Sequence, residues 1–280
     1  MDQGISIRYY RVERAEKHDP AFAKTLDKIF TLGGPSKRLK DVNGVKVRLE
    51  EFRSSSAGFY EGEFVRLQER AYPSEVHDNN TAALQTKRPL GHHLAFVYNE
   101  NRSVLAAQYD SRTLSLNRVN GYLNSFPPHV WYLFTPLVRK DTWNRFISTP
   151  PKKIRFAIAS PADLSQIDGA HKAVYQNIAT MADSYSPHLM EISMSMGHSK
   201  GALRKGHEFV KDLLRRADNG DIDLRKLKGK GAEQAEEIDL LEEVLTEKIT
   251  LDLPRNDPRE SYKIRLAALH AGMARHNAKF

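Results

Sequence analysis

The stretch "EISMSMGHSKGALRKGHEF", Glu191 to Phe209, changes character halfway along. Ile192, Met194 and Met196 alternate with Ser193 and Ser195, the period of a half-buried strand. Beyond Gly197 the chain turns to glycine, lysine, arginine and histidine. "ALRKGHEFVKDLLRRADNG" then reads as a helix ended by Asn219–Gly220. A strand, a basic loop and a helix in that order set backbone N–H groups and a positive helix end beside cations.

The same alternation runs outward in both directions. Upstream, "VWYLFTPLV" reads as a buried strand, "RKDTWNRFIS" as a short helix and "KKIRFAIAS" as a strong strand. A helix announced by Ser160, Pro161 and Asp163 follows. Downstream, "DLRKLKGKG" (Asp223–Gly231) has Leu224 and Leu227 as anchors, Arg225, Lys226, Lys228 and Lys230 outward, and a glycine-rich end expected to be a flexible tip. "EEIDLLEEVLTEKITLDL" fits one helix, although "EKITLDL" alternates like a strand. "DPRESYKIRLAALHAGMARH" is a closing helix with Asp257 at its cap and Pro258 at its first position. This half fits either a doubly wound sheet or an α+β layer.

The first half is dominated by strands. "ISIRYYRVER", the two runs of "VKVRLEEFRSSSAGFYEGEFVRLQER" and the hairpin "HHLAFVYNENRSVLAAQYDS" are separated by turn residues. "DPAFAKTLDKIFTL" and "SLNRVNGYLNSF" carry helical spacing. The two prolines of "FPPHV" mark a joint. The expected class is therefore α+β. A strand-rich mixed domain over residues 1–125 is followed by a mixed α/β, nucleic-acid-binding domain over 126–280.

Composition bounds the chemistry. The 280 residues suffice for one large or two small domains. The absence of cysteine excludes disulfides, thiolate zinc sites and cysteine nucleophiles. The charged opening "MDQGISIRYYRVERAEKHD" lacks an apolar signal core, so a cytoplasmic setting is expected. Net charge is +8 and unevenly spread. Residues 197–231 hold ten Lys/Arg against five Asp/Glu, and residues 137–155 hold six against one. Residues 233–252 hold eight acids and one lysine. Two basic stretches beside an acidic one imply a polyanion partner, with the acidic segment competing for the basic face.

Motif spacing excludes several catalysts. Gly201 and Gly206 have the gap of a triphosphate loop, but His207 and Glu208 follow in place of Lys and Ser/Thr, and no dinucleotide fingerprint exists. No acid has a lysine two positions later, as a restriction-type nuclease requires, and no zinc-hydrolase histidine pair occurs. Arg265 and His270 do have the R-x4-H spacing of a ribonuclease family of helical bundles, with Leu266 where that family carries a polar residue.

Two segments resemble a known group. "EEIDLLEEVLTEKITLDLPRNDPRESYKIRLAALHAGMARH" looks like the closing strand, turn and helix of RexA-like phage-exclusion proteins and related antiphage proteins, including the DNA-binding subunit of the Kiwa system. "HLAFVYNENRSVLAAQYDSRTLSLNRVNGYLN" is similar to their strand, hairpin and short helix. The resemblance implies a two-domain, often dimeric, sequence-nonspecific DNA binder in phage defence. It carries over no residue roles, so the expected site rests on charge alone. That set is Lys200, Arg204, Lys205, Lys211, Arg215 and Arg216 on the loop and helix; Arg225, Lys226, Lys228 and Lys230 downstream; and Arg139, Lys140, Lys152 and Lys153 upstream. The partner expected from it is nucleic acid, duplex DNA first, bound without cofactor, metal or catalytic residue. A homo-oligomer or a partner protein accompanies that reading, with a ribonuclease-type toxin or a protein-interaction module as alternatives.

Overall fold

Isoleucine, tyrosine and valine alternate with polar residues near the start of the chain, and in the computed structural model they form one long strand, β1 (Asp2–Arg14). The structure describes residues 2–277 other than 57, 71, 77–80, 85, 87, 111–113, 198, 200 and 255. After β1 come α1 (Phe22–Phe30), β2 (Lys40–Val42), β3 (Val45–Ser56), β4 (Phe59–Gln68), β5 (Ser74–Val76), β6 (Thr81–Ala83), β7 (Leu90–Asn99), β8 (Val104–Tyr109), α2 (Leu116–Asn124) and β9 (Tyr132–Pro136). Next are α3 (Lys140–Ile147), β10 (Pro151–Ala159), α4 (Lys172–Tyr185), β11 (Leu189–Ser195), α5 (Gly206–Asn219), β12 (Asp223–Gly231) and β13 (Ile238–Asp239). The chain closes with β14 (Thr246–Asp252) and α6 (Pro258–His276). The protein is α+β, with a strand-rich N-terminal sheet and most helix later in the chain. No helix among the described residues is long and apolar enough to cross a membrane.

The chain divides into two units, Met1–Leu133 with Glu247–Ala278, and Phe134–Thr246. This differs from the expected division at 125/126 in one important respect: the closing strand and helix return to the first unit. The reason is edge pairing, because β14 adds beside β1 in the order β14-β1-β8-β7-β4-β3-β2. Phe64 of β4 lies 5.8 Å from the Tyr122 ring of α2, so the alternate residues Glu61 and Glu63 face the other side, where α6 supplies Arg265 and His270. Asp257 caps α6, its carboxylate accepting from Glu260 N–H at 2.9 Å.

The second unit is a four-stranded antiparallel sheet in the order β11-β10-β12-β13. One face carries Ile154, Phe156, Ile158, Leu224 and Leu227, buried against Phe146 of α3, Tyr175 and Ile178 of α4, and Phe209, Val210 and Leu213 of α5. The alternatives left by the sequence thus resolve to an antiparallel layer covered by helices on one face. The glycine-rich end of "DLRKLKGKG", expected as a flexible tip, is instead part of the interior strand β12. Its glycines serve close approach. A Cβ on Gly229 would lie 2.4 Å from the Phe146 ring, and one on Gly231 2.1 Å from Thr149 Oγ1. The acidic stretch after it is not one helix but β13, a run of turns and β14.

Candidate nucleic-acid interface

Strand alternation decides which side chains of the second unit face away from its helices. Where Ile154, Phe156 and Ile158 of β10 point into the core, Lys153, Arg155 and Ala157 point outward. On β12, Leu227 and Gly229 are buried while Lys226, Lys228 and Lys230 take the outer face. Glu191, Ser193 and Ser195 of β11 are exposed on that face, between the inward Met190, Ile192 and Met194. Antiparallel register then sets Lys153 opposite Lys230, Arg155 opposite Lys228 and Ala157 opposite Lys226.

Carboxylates are interleaved among these cations. Glu237 lies 2.7 Å from Lys153 and 3.6 Å from Arg155, and Asp239 lies 3.5 Å from Lys228. Glu191 accepts from Lys226 at 2.9 Å and lies 3.5 Å from Arg155. Between Glu191 and Lys226 sits Ala157, whose small side chain is buried and leaves room for that pair. The Lys153 hydrogen bond, with the charge of Arg155, holds the Glu237 carboxyl below the usual carboxylate range. The Lys226 hydrogen bond does the same for Glu191. The Lys230 ammonium donates to the Ala235 carbonyl at 2.7 Å. Five cations against three carboxylates leave the open face net positive. The acidic segment, expected near the basic one, contributes two of those three.

None of the other expected residues is among these five cations. Lys211 is exposed on α5, on the helical side of the sheet, 5.9 Å from the Trp143 ring. Arg204 and Lys205 are exposed just before α5, with Lys205 in the left-handed region at φ 55°. Lys140 is the exposed first residue of α3, Arg139 lies 3.6 Å from Glu243, and Lys152 is half-buried at a shift in the β10–β12 register. Arg225 sits at a second shift and pairs with Asp223 at 2.6 Å. Lys200 lies outside the described residues.

Arg215 and Arg216 are engaged with Asp212 and are not among the five cations of the open face. Arg216 is buried, 2.9 Å from Asp212, and also donates to the Asp168 carbonyl; Arg215 pairs with Asp212 as well. Tyr175 O–H donates to the same Asp212 carboxylate at 2.9 Å. Burial pushes the Asp212 carboxyl up, but hydrogen bonds and charge from Arg216 and Arg215 outweigh it and hold it below its ordinary range. The amphipathic pattern of α5 was the available signal: Arg216 falls between the core positions Leu213 and Ala217. Conversely, Arg155, absent from the expected set, stands in the middle of the open face, and the alternation of "KKIRFAIA" marks it as outward beside Lys153.

In the first unit, Arg265 is only 6% exposed and donates to Glu63 at 2.7 Å, while His270 Nε2 lies 2.7 Å from Glu61. Glu63 also meets His93 Nδ1 at 2.8 Å, and Glu61 meets Arg53 at 2.7 Å. The R-x4-H pair of the sequence is thus divided between two buried carboxylates and clamps α6 to the sheet.

Together these features define an α+β chain whose second unit has helices on one sheet face and a lysine- and arginine-bearing open face on the other. A family model described as a family of unknown function, DUF6731, matches residues 11–277, and the chain belongs to that family. No curated protein matches it.

Proposed function

We propose that the second unit binds duplex nucleic acid, DNA first, through backbone phosphates laid across the open face of its sheet. One observation carries the reading. Cations occupy directly opposed positions, Lys153 with Lys230 and Arg155 with Lys228, where cross-strand repulsion costs stability. Glu191, Glu237 and Asp239 are interleaved with these cations and relieve part of that repulsion, yet the face stays net positive, and a residual conflict of this kind supports a functional face. The outward residues of β10, β11 and β12 include no aromatic ring, so the platform on which single-stranded bases stack is lacking and phosphates are the available target.

The resemblance of two segments to phage-exclusion and antiphage proteins supports, as part of this proposal, a setting in prokaryotic or phage conflict. Fluorescence anisotropy of labelled duplexes of unrelated sequence, titrated across a range of salt, tests the binding. Five phosphate contacts give a slope of log K against log[salt] of about −4.5, equal for all sequences. A flat salt response overturns the phosphate reading, and strong preference for one sequence overturns the nonspecific one.

A further inference from the structure

At one end of the second sheet, β11 has a free side. Among the described residues it pairs only with β10, in an unbroken register from Lys153–Ser195 to Ala159–Leu189. Met196 N–H donates to the Lys152 carbonyl at 3.0 Å and Ser160 N–H to the His188 carbonyl at 3.1 Å. Antiparallel pairs alternate between bonded and non-bonded, so the even-numbered residues of β11 spend their backbone groups on β10. Glu191, Ser193 and Ser195 direct their N–H and C=O groups away from the sheet.

Natural edge strands are blunted by lysine, proline or a bulge. β11, "LMEISMS", has none of these. Its helical side is apolar, and on the open side Leu189 is apolar beside Glu191, Ser193 and Ser195. On the helical side, Met181 and Tyr185 of α4, four residues apart, are 44% and 82% exposed. Leu189, at the start of β11, is 54% exposed. Isolated exposed apolar residues are ordinary; Tyr185 and Leu189, four residues apart in the chain where α4 leads into β11, add exposed apolar area at the start of this edge strand.

The occupant is indicated by the self-complementarity of the strand, in which an antiparallel copy centred on Ile192 sets apolar residues against apolar ones on the helical side and the lone charge of Glu191 against Ser193. About Ile192, Met190 and Met194 lie at equal distances, while Glu191 is matched by the uncharged Ser193 and Leu189 by Ser195. We propose that β11 pairs antiparallel with β11 of a second copy of this chain, about a two-fold axis between the two Ile192 residues. In that register Ile192 opposes Ile192 and Met190 opposes Met194 on the helical side. Glu191 opposes Ser193 and Leu189 opposes Ser195 on the open side, so no like charges meet. The odd-numbered backbone groups complete the ladder, as a closed isologous contact requires. Two four-stranded sheets become one of eight strands. The surface stands independently of nucleic-acid binding.

The full chain, measured by light scattering and sedimentation without nucleic acid, is expected at twice the chain mass. Ser193→Pro removes one outward N–H and no bond to β10. It is expected to be monomeric with unchanged circular dichroism, as is Ser193→Lys. Because the chain has no cysteine, Ile192→Cys supplies a sole thiol that oxidation joins to its counterpart. Ser193→Cys, set diagonally, crosslinks far more slowly. Monomeric wild type at every concentration, a persistent dimer in folded Ser193→Pro, or equal crosslinking of the two cysteine variants each overturns the proposal.

Discussion

Lys153 and Lys230 stand directly opposite one another on adjacent antiparallel strands. Each is tied down by the segment that follows β12: Lys153 by Glu237 at 2.7 Å and Lys230 by the Ala235 carbonyl at 2.7 Å. The acidic stretch therefore both permits this crowded arrangement and occupies part of it.

That geometry makes a quantitative difference between the two sides of the second unit. Lys228→Ala and Lys230→Ala are each expected to reduce the salt slope of duplex binding by about 0.9. Lys211→Ala, on the helical side, is expected to leave it unchanged. Anisotropy titrations at several salt concentrations check this; a larger effect of Lys211 would move the interface to α5.

Glu237→Gln releases Lys153 and Arg155 together and is expected to raise duplex affinity about threefold, the scale of a solvent-screened ion pair. Glu236→Gln, one residue earlier and exposed, makes the same change in net charge and provides the comparison. Equal gains in both would reduce the effect to bulk electrostatics. The folded Glu237 carboxyl is held below its ordinary range, so it stays charged at neutral pH and masking weakens only as pH falls through that lowered value.

Asp212 carries a stability prediction. Its folded pKa is depressed, so its contribution is fully present above the unfolded value and is lost as pH falls through the folded one. Asp212→Ala removes the nearest carboxylate from buried Arg216, leaving Asp221 at 3.9 Å, and is expected to destabilise the second unit by about 3 kcal/mol at neutral pH. The difference from wild type should shrink in acid. Urea denaturation at neutral and acidic pH measures it, and a constant difference would contradict the assignment.

Gly229 distinguishes a packed strand from a flexible tip. Gly229→Ala drives a methyl group into the Phe146 ring and is expected to cost about 2 kcal/mol, the scale of core overpacking. Phe146→Leu in the same chain is expected to recover part of that loss, giving a non-additive double-mutant cycle in thermal unfolding. Neutral behaviour of the single variant would restore the tip.

Short-range pattern was sufficient for the α+β class and for most elements. Period two exposed β1, β10 and β11; caps and helical spacing exposed α1, α2, α5 and α6, with Asp257 and Pro258 where the cap requires them. It also located the basic and acidic stretches, because charge is a property of composition. The cations that share a surface were decided by tertiary structure. Lys211 and Lys228 belong to one basic run, yet α5 packs on one side of the sheet and β12 sends its lysines to the other. Arg215 and Arg216 look like surface charge until Asp212 and Tyr175 close around them. Glycines in "KGKG" encode both a flexible loop and a close approach, and only Phe146, more than eighty residues earlier in the chain, distinguishes the two. The closing strand and helix are locally legible, but their return to the first sheet depends on which strand leaves an edge to pair. Local sequence determines periodicity and charge because those reside in neighbouring residues. Faces, partners and unit membership are decided by contacts between residues far apart in the chain.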